Sequence, residues 1–193
     1  MARSNASSRN EVLEMLKEDH KRAKKAFRDF SKLQEEGDEA GCQALAEQTC
    51  KELQLHMRLE EEVFYPAARG GLDEEDLIEE AEVEHGSAKT LIEQLSSLSP
   101  EDAKFSATFT VLGEYIKHHV KEEEGEMFEQ LGRSKVDWDS LLEEMLARRM
   151  ELEGELGLDA AEEEGETEEQ AAARMAASSD EAKSRPSQGK GVR

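Results

Sequence analysis

The sequence predicts an all-α protein: an up-down-up-down four-helix bundle with a short fifth helix and a disordered C-terminal tail. Three observations carry this. Charged residues make up 37% of the 193 and hydrophobic residues 36%, against about 25% charged in an average soluble domain. That balance suits slim helices with a narrow core and a large wet surface. Glu, Ala and Leu, all good helix formers, lead the composition, and strand formers never alternate over a useful length. Apolar residues instead recur at steps of three and four, the period of helices that bury one face.

Each element follows from its stripe and its stop signals. Ser8 with Glu11 reads as a capping box opening a helix from about residue 9 to 35, with Leu13, Leu16, His20, Ala23, Phe27 and Phe30 on one seam. Gly37, Asp38 and Gly41 mark a turn. The second helix, about 39 to 65, presents Cys42, Leu45, Thr49, Glu52 or Leu53, His56, Glu60 and Val63 or Phe64, and Pro66 is expected to end it. Asp73 with Asp76 can cap a third helix carrying Ile78, Ala81, His85, Ala88, Ile92 and Leu95. Ser99-Pro100 reads as a cap serine followed by proline at the first helical position, with Asp102 three residues past the cap. The fourth seam is then Phe105, Phe109, Leu112, Ile116, His119, Glu123 and Met127. A shorter segment, about 136 to 150, carries Trp138, Leu141, Leu142, Met145 and Leu146.

These elements divide the chain into a bundle over 8–132, made of two helix hairpins (8–66 and 73–132), and an amphipathic helix over 134–152 packing on it. Residues 153–193 form a low-complexity acidic and Ala-rich tail, expected to be disordered. A net charge of −22 repels phosphate backbones and anionic lipid surfaces, so neither nucleic acid nor membrane is an expected partner. No run approaches the ~20 apolar residues that span a bilayer, and Met1-Ala2-Arg3-Ser4 leads into polar residues without an apolar signal core. A cytoplasmic protein is the expectation, which also suits Cys42 and Cys50 as free thiols outside any zinc or CxxC spacing. The tail is a candidate arm for a weak protein partner.

The two halves repeat. Asp19-His20 recurs as Glu84-His85, and His56…Glu60-Glu61 recurs as His119…Glu123-Glu124. Each hairpin therefore has one histidine on its first helix and one HxxxEE on its second. Residues at i and i+4 share a helix face about 6 Å apart, so His56 with Glu60, and His119 with Glu123, can enter one cavity, joined by His20 and His85. Two carboxylates buried together without partners would raise each other's pKa at severe cost. A pair of cations removes that cost, since carboxylates can bridge two ions while neutral imidazoles fill each shell. Nitrogen and oxygen donors without thiolate suit iron, and also manganese or zinc. His118, beside the seam, is an alternative ligand to His119 with Glu122 as its i+4 partner. Glu61 and Glu124 are candidates to orient a ligating imidazole.

These residues resemble the hemerythrin-like HHE cation-binding domain family over roughly 10–132. The resemblance rests on Asp19-His20, His56-Met57-Arg58-Leu59-Glu60-Glu61 leading to Phe64-Tyr65-Pro66, Glu84-His85, and His119-Val120-Lys121-Glu122-Glu123-Glu124 leading to Met127-Phe128. It implies a non-haem di-iron centre, bridged by carboxylates and by oxo or hydroxo groups. His20, His56, His85 and His119 would be terminal ligands and Glu60 and Glu123 the bridges. The chain departs from the family's oxygen carriers where they have a further histidine four residues after the third-helix His, since this position is Lys89. Their fourth helix places an Asp five residues after its His, whereas Glu123 and Glu124 stand at four and five here. Lys89 would either donate a hydrogen bond near an opened coordination position or lie along the surface. The expected function is a di-iron protein that binds or senses dioxygen, nitric oxide or redox state, or buffers iron, its ligand a small gas or peroxide. The alternatives are a peroxidase- or ferroxidase-like enzyme, and a metal-stabilised structural or interaction module.

Overall fold

A computed structural model describes residues 4–72, 76–132 and 134–158. The expected tail from residue 159 onward, and the Asp73 cap, lie outside the described residues. Helix α1 spans Asn5–Glu36. Helix α2, Glu39–Leu59, runs without a break through a π-helical turn at Glu60–Phe64 into α3, Tyr65–Ala68. Helix α4, Asp76–Ser96, returns to α5, Ala103–Glu122, which passes through a second π turn at Glu123–Met127 into α6, Phe128–Leu131. Helix α7, Trp138–Leu156, follows. Among the described residues none is in a strand, and no helix is long and apolar enough to cross a membrane.

The first hairpin turns on Gly37, at φ 73°, where a side chain would be strained. Its N–H donates to the Gln34 carbonyl and that of Asp38 to Leu33, satisfying the end of α1. Asp38 then caps α2 by accepting from the Gly41 N–H at 2.9 Å.

Two expected caps are elsewhere. Ser4, not Ser8, caps α1. Ser8 is buried and its hydroxyl donates to Asp139 of α7, so the helix continues upstream through it. Asp102, not Ser99, caps α5, accepting from the Lys104 N–H at 2.9 Å. The Ser99 carbonyl instead accepts from the Asp102 N–H, placing Pro100 second in a turn where its fixed φ is favourable. Pro66 does not end its helix either. A proline lacks the N–H and crowds the carbonyl four residues back. The helix continues through Pro66, and just before it widens into the π turn, where the Tyr65 N–H reaches the carbonyl of Glu60.

The seams of α4 and α5 are buried as read, from Ile78 to Leu95 and from Phe105 to Met127. In α1, Val12 takes the core place expected of Leu13, and Phe27 is half-buried. Near the two hairpin turns Phe30 and Phe109 pack with ring centroids 4.3 Å apart. Toward the other end Phe64 meets Phe128 edge-on at 5.9 Å. The histidine seam positions lie between these aromatic layers, each buried ring contributing ~1.5–3 kcal/mol.

Helix α7 lies against α1, α2 and the first π turn. It extends past the expected end and buries Trp138, Leu141, Leu142, Met145 and Leu152, while Leu146 is exposed, in contrast to the expected stripe. Trp138 N–H donates to Asn5 Oδ1 at 2.9 Å, and Arg58–Glu155 and Arg148–Glu62 link it to α2 and the π turn at 2.7 and 2.6 Å. Gly86, exposed in α4, has nothing within 4 Å of where a Cβ would lie. Gly86→Ala is therefore expected to stabilise the protein by about 1 kcal/mol, read as a higher denaturant midpoint at unchanged m-value.

Candidate metal centre

Six buried side chains converge at mid-bundle: His20 from α1, His56 from α2, Glu60 from the first π turn, His85 from α4, His119 from α5 and Glu123 from the second π turn. They form two histidine pairs. His20 Nε2 lies 3.0 Å from His56 Nε2, and His85 Nε2 lies 3.2 Å from His119 Nε2. Each carboxylate faces one histidine of both pairs. Glu60 Oε2 is 3.3 Å from His56 Nε2 and 3.4 Å from His85 Nε2. Glu123 Oε2 is 3.1 Å from His20 Nε2 and 3.9 Å from His119 Nε2. Donor atoms of His20, His56, Glu60 and Glu123 lie within 4.8 Å of one another, as do those of Glu60, His85 and His119.

Both π turns begin at the inward glutamate. A π turn inserts an extra residue into the helical repeat and is found mostly at functional sites. Its effect here is that Glu60 and Glu123 stay on the inner face while the next residues, Glu61 and Glu124, rotate toward the neighbouring hairpin.

The outer nitrogens complete the pattern. Glu124 Oε1 accepts from His20 Nδ1, Glu61 Oε1 from His85 Nδ1 and Glu84 Oε2 from His119 Nδ1, each at 2.9 Å. Asp19 Oδ2 lies 3.4 Å from His56 Nδ1. Protonated Nδ1 leaves every Nε2 lone pair directed at the centre, the tautomer a metal ligand needs. The arrangement is two-fold: the acid preceding one hairpin's first histidine serves that hairpin's second, and the acid after each inward glutamate serves the opposite hairpin. Glu61 and Glu124, candidates from the sequence to orient an imidazole, contact His85 and His20. Asp19 and Glu84 were missed in this role, although the repeated acid-His pair was their signal.

Burial sets the electrostatics. It pushes the Glu60 carboxyl up, reinforced by the adjacent Glu123 carboxylate. Burial opposes ionisation of Glu123 as well, yet His20, His119 and His56 hold that carboxyl below its usual range. Desolvation depresses His56 to about 4 and lowers His85, keeping both imidazoles neutral. At His119 burial is outweighed by Glu84 and Glu123, which raise it. Burial also opposes the Asp19 charge, but His56 and Arg149 hold this carboxyl well below the usual range. The guanidinium of Arg149 grips Asp19 with both forks, at 2.9 and 3.0 Å.

A fit to metal can be judged from what is left unpaired. Glu60 Oε1 and both oxygens of Glu123 are buried without a hydrogen-bond partner. Three orphan acceptors beside four inward imidazole nitrogens would cost several kcal/mol, and bound cations relieve that cost. The donor set fits two such ions.

Lys89 does not approach the centre. It is exposed and its Nζ pairs with Glu61 at 2.5 Å, holding that carboxyl low together with the His85 hydrogen bond. The buried hydroxyl of Tyr65 lies there instead, 3.4 Å from Glu60 Oε2 and 3.5 Å from His85 Nε2. In the sequence Tyr65 stands out only as part of Phe64-Tyr65-Pro66, with no role at the centre assigned to it. His118 is exposed and pairs with Glu84 and Glu122; it does not replace His119. A cavity of about 10 Å³ borders the centre, walled by the four histidines with Ala23, Leu53 and Ile116. That is room for roughly one water-sized molecule.

Residues 11–131 match the Hemerythrin HHE cation binding domain. A DNA nickase of Nostoc sp. (strain PCC 7120) is 33% identical over 99 residues, covering 51% of this chain and 28% of that protein. The chain thus accounts for well under half of that relative's length. No solved structure matches the chain. The buried His/Glu cluster has the architecture of the di-iron site of hemerythrins. The chain belongs to the hemerythrin family, defined by the HHE cation binding domain.

Proposed function

We propose that His20, His56, His85 and His119, with Glu60 and Glu123 spanning them, hold two iron ions, and that the protein binds or senses a small oxidant or gas there. The observation that carries this is the placement of each carboxylate between one histidine of each pair. A single-ion site has no use for two such spanning groups. Iron in that position would supply redox chemistry toward dioxygen, nitric oxide or peroxide.

The chain's own residues set the conditions. The outer carboxylates fix all four imidazoles with Nε2 inward. The small, mainly apolar cavity excludes substrates larger than a few atoms. Burial and the Glu60 carboxylate raise the Tyr65 phenol, so it keeps its proton and can donate it as a hydrogen bond from Oη into the centre. A buried donor of this kind favours an anionic or partly reduced ligand over a neutral one. Binding or sensing is the reading in keeping with the family match. The activity named for the Nostoc relative stays with that protein, since most of its length has no counterpart in the match.

Metal analysis after aerobic expression in iron-replete medium is expected to give close to two irons per chain. A near-ultraviolet band should appear that bleaches on reduction. A chain that takes up no iron, or one ion only, would overturn this reading. Repeated turnover of peroxide or Fe2+, lost in His85→Ala, would move the assignment to an enzyme.

A further inference from the structure

The two-fold pattern breaks beside the second hairpin's histidine, and that break points to a second cation site. In the first hairpin the residues preceding His56 and Glu60 are Leu55 and Leu59, both buried. The acid beside them, Asp19, is closed off by Arg149 from α7. In the second hairpin the corresponding residues are His118 and Glu122, and their acid is Glu84. Among the described residues no arginine pairs with this set. His118 Nε2 lies 3.3 Å from Glu122 Oε1 and 3.5 Å from Glu84 Oε1, and donor atoms of the three lie within 4.8 Å of one another. His118 is 61% exposed, Glu122 36% and Glu84 20%, so the cluster opens to water on one side.

Its inner side leads to the buried centre. A narrow cleft of about 10 Å³ is lined by Glu80, Glu84 and Glu122, by the inward His119 and Glu123, and by Leu77, Ala81 and Met127. Glu123 is 2% exposed, and both its oxygens lack hydrogen-bond partners. An unpartnered buried carboxylate therefore lines the same cleft that the surface donors guard. Glu84 joins the two levels, since its other oxygen holds His119 Nδ1 at 2.9 Å. The cavity walled by the four histidines is a less favourable route for a cation than this cleft. Arg22, a fixed positive charge, stands among its walls.

We propose that Glu84, His118 and Glu122 form a surface site for a divalent cation, from which the buried pair is loaded through the α4–α5 cleft. The inference rests on the di-iron reading. One imidazole and two carboxylates suit a borderline cation such as Fe2+, Co2+ or Zn2+. Three donors with the fourth side in water bind weakly enough to release it inward. The acidic surroundings raise the local cation concentration, an advantage that salt reduces.

The test uses full-length metal-free protein mixed anaerobically with micromolar Co2+, with visible absorption reporting the occupied buried centre. Wild type is expected to bind two ions tightly and a third more weakly. His118→Ala and Glu122→Gln should each lose the third ion and fill the buried centre roughly tenfold more slowly, reaching the same two-ion end point. Glu47→Gln, on the exposed face of α2, should fill at the wild-type rate. Unchanged filling rates in both cluster variants, or no third ion in wild type, would overturn the proposal. If wild type binds only a single weak ion and His118→Ala loses it, the buried di-metal reading fails and the loading role with it. The surface site would then stand alone.

Discussion

Glu60→Leu is expected to make the metal-free protein more stable and to abolish its stabilisation by metal. Without cations Glu60 is fully buried, one oxygen has no partner, and burial with the Glu123 charge pushes its carboxyl up. Leaving such a group unsatisfied costs about 1–3 kcal/mol, and a leucine of similar volume recovers most of it. For a chain of this size that raises Tm by several degrees, at ~2–4 °C per kcal/mol. The gain should depend on pH with a definite sign. A carboxyl whose folded pKa exceeds its unfolded value near 4.5 binds more protons folded than unfolded, so its contribution to stability falls as pH rises. The advantage of leucine should therefore be small below pH 4.5, grow above it, and level off past the raised folded pKa. Metal acts oppositely. Ions bound at a thousandfold over Kd add ~4 kcal/mol to wild type, whereas the variant, deprived of a donor shared by both histidine pairs, should show little shift. Thermal melts with and without chelator, alongside metal content, read both halves. A variant that is destabilised when metal-free yet keeps two ions would sink the account of Glu60 as a shared ligand.

That a site so built was legible in sequence follows from how its parts are encoded. A histidine on a seam of period three to four must face the core wherever the helix packs, so His20, His56, His85 and His119 could be placed from spacing alone. The repeat of HxxxEE then put the carboxylates beside them. What spacing could not give was anything that depends on a departure from the regular helix. Spacing offered Glu61 and Glu124 only as candidates, without saying that each holds an imidazole of the opposite hairpin, His85 and His20. It gave Tyr65 no place against Glu60 either. Caps misled for a related reason. Ser8 and Ser99 have the right chemistry, but Ser8 is claimed by Asp139 of α7, a contact from 131 residues away. Lys89 was readable only as two alternatives, because its partner Glu61 comes from another helix across the π turn.

Arg149→Ala is expected to destabilise the fold and loosen the metal centre together, although residue 149 lies outside the repeat that supplies the ligands. The guanidinium makes a bidentate contact with Asp19, and Asp19 is 8% exposed and borders His56 Nδ1. Removing one partner of a buried pair leaves the other charge uncompensated, at ~3–5 kcal/mol where burial is complete. Arg22 also contacts Asp19 from α1, and Arg149 is partly exposed, so about 2 kcal/mol is the fair expectation here. Arg149→Lys should recover only part of it, since an ammonium cannot supply the planar fork. A purely structural loss would stop there. The chain of contacts predicts more: with Asp19 less firmly ionised and less fixed, the His56 ring loses the partner that sets its tautomer. Metal affinity should then fall ~10-fold or more, the usual scale for a carboxylate behind a ligating imidazole. The decisive comparison is a double-mutant cycle with Asp19→Asn. If Arg149 acts through Asp19, the second substitution adds little to metal loss once the first is made, and the two effects are strongly non-additive. The ring-nitrogen NMR shifts of His56 in the metal-free protein should move in both single variants. Additive effects with an unmoved His56 would show that α7 braces the bundle without tuning the centre.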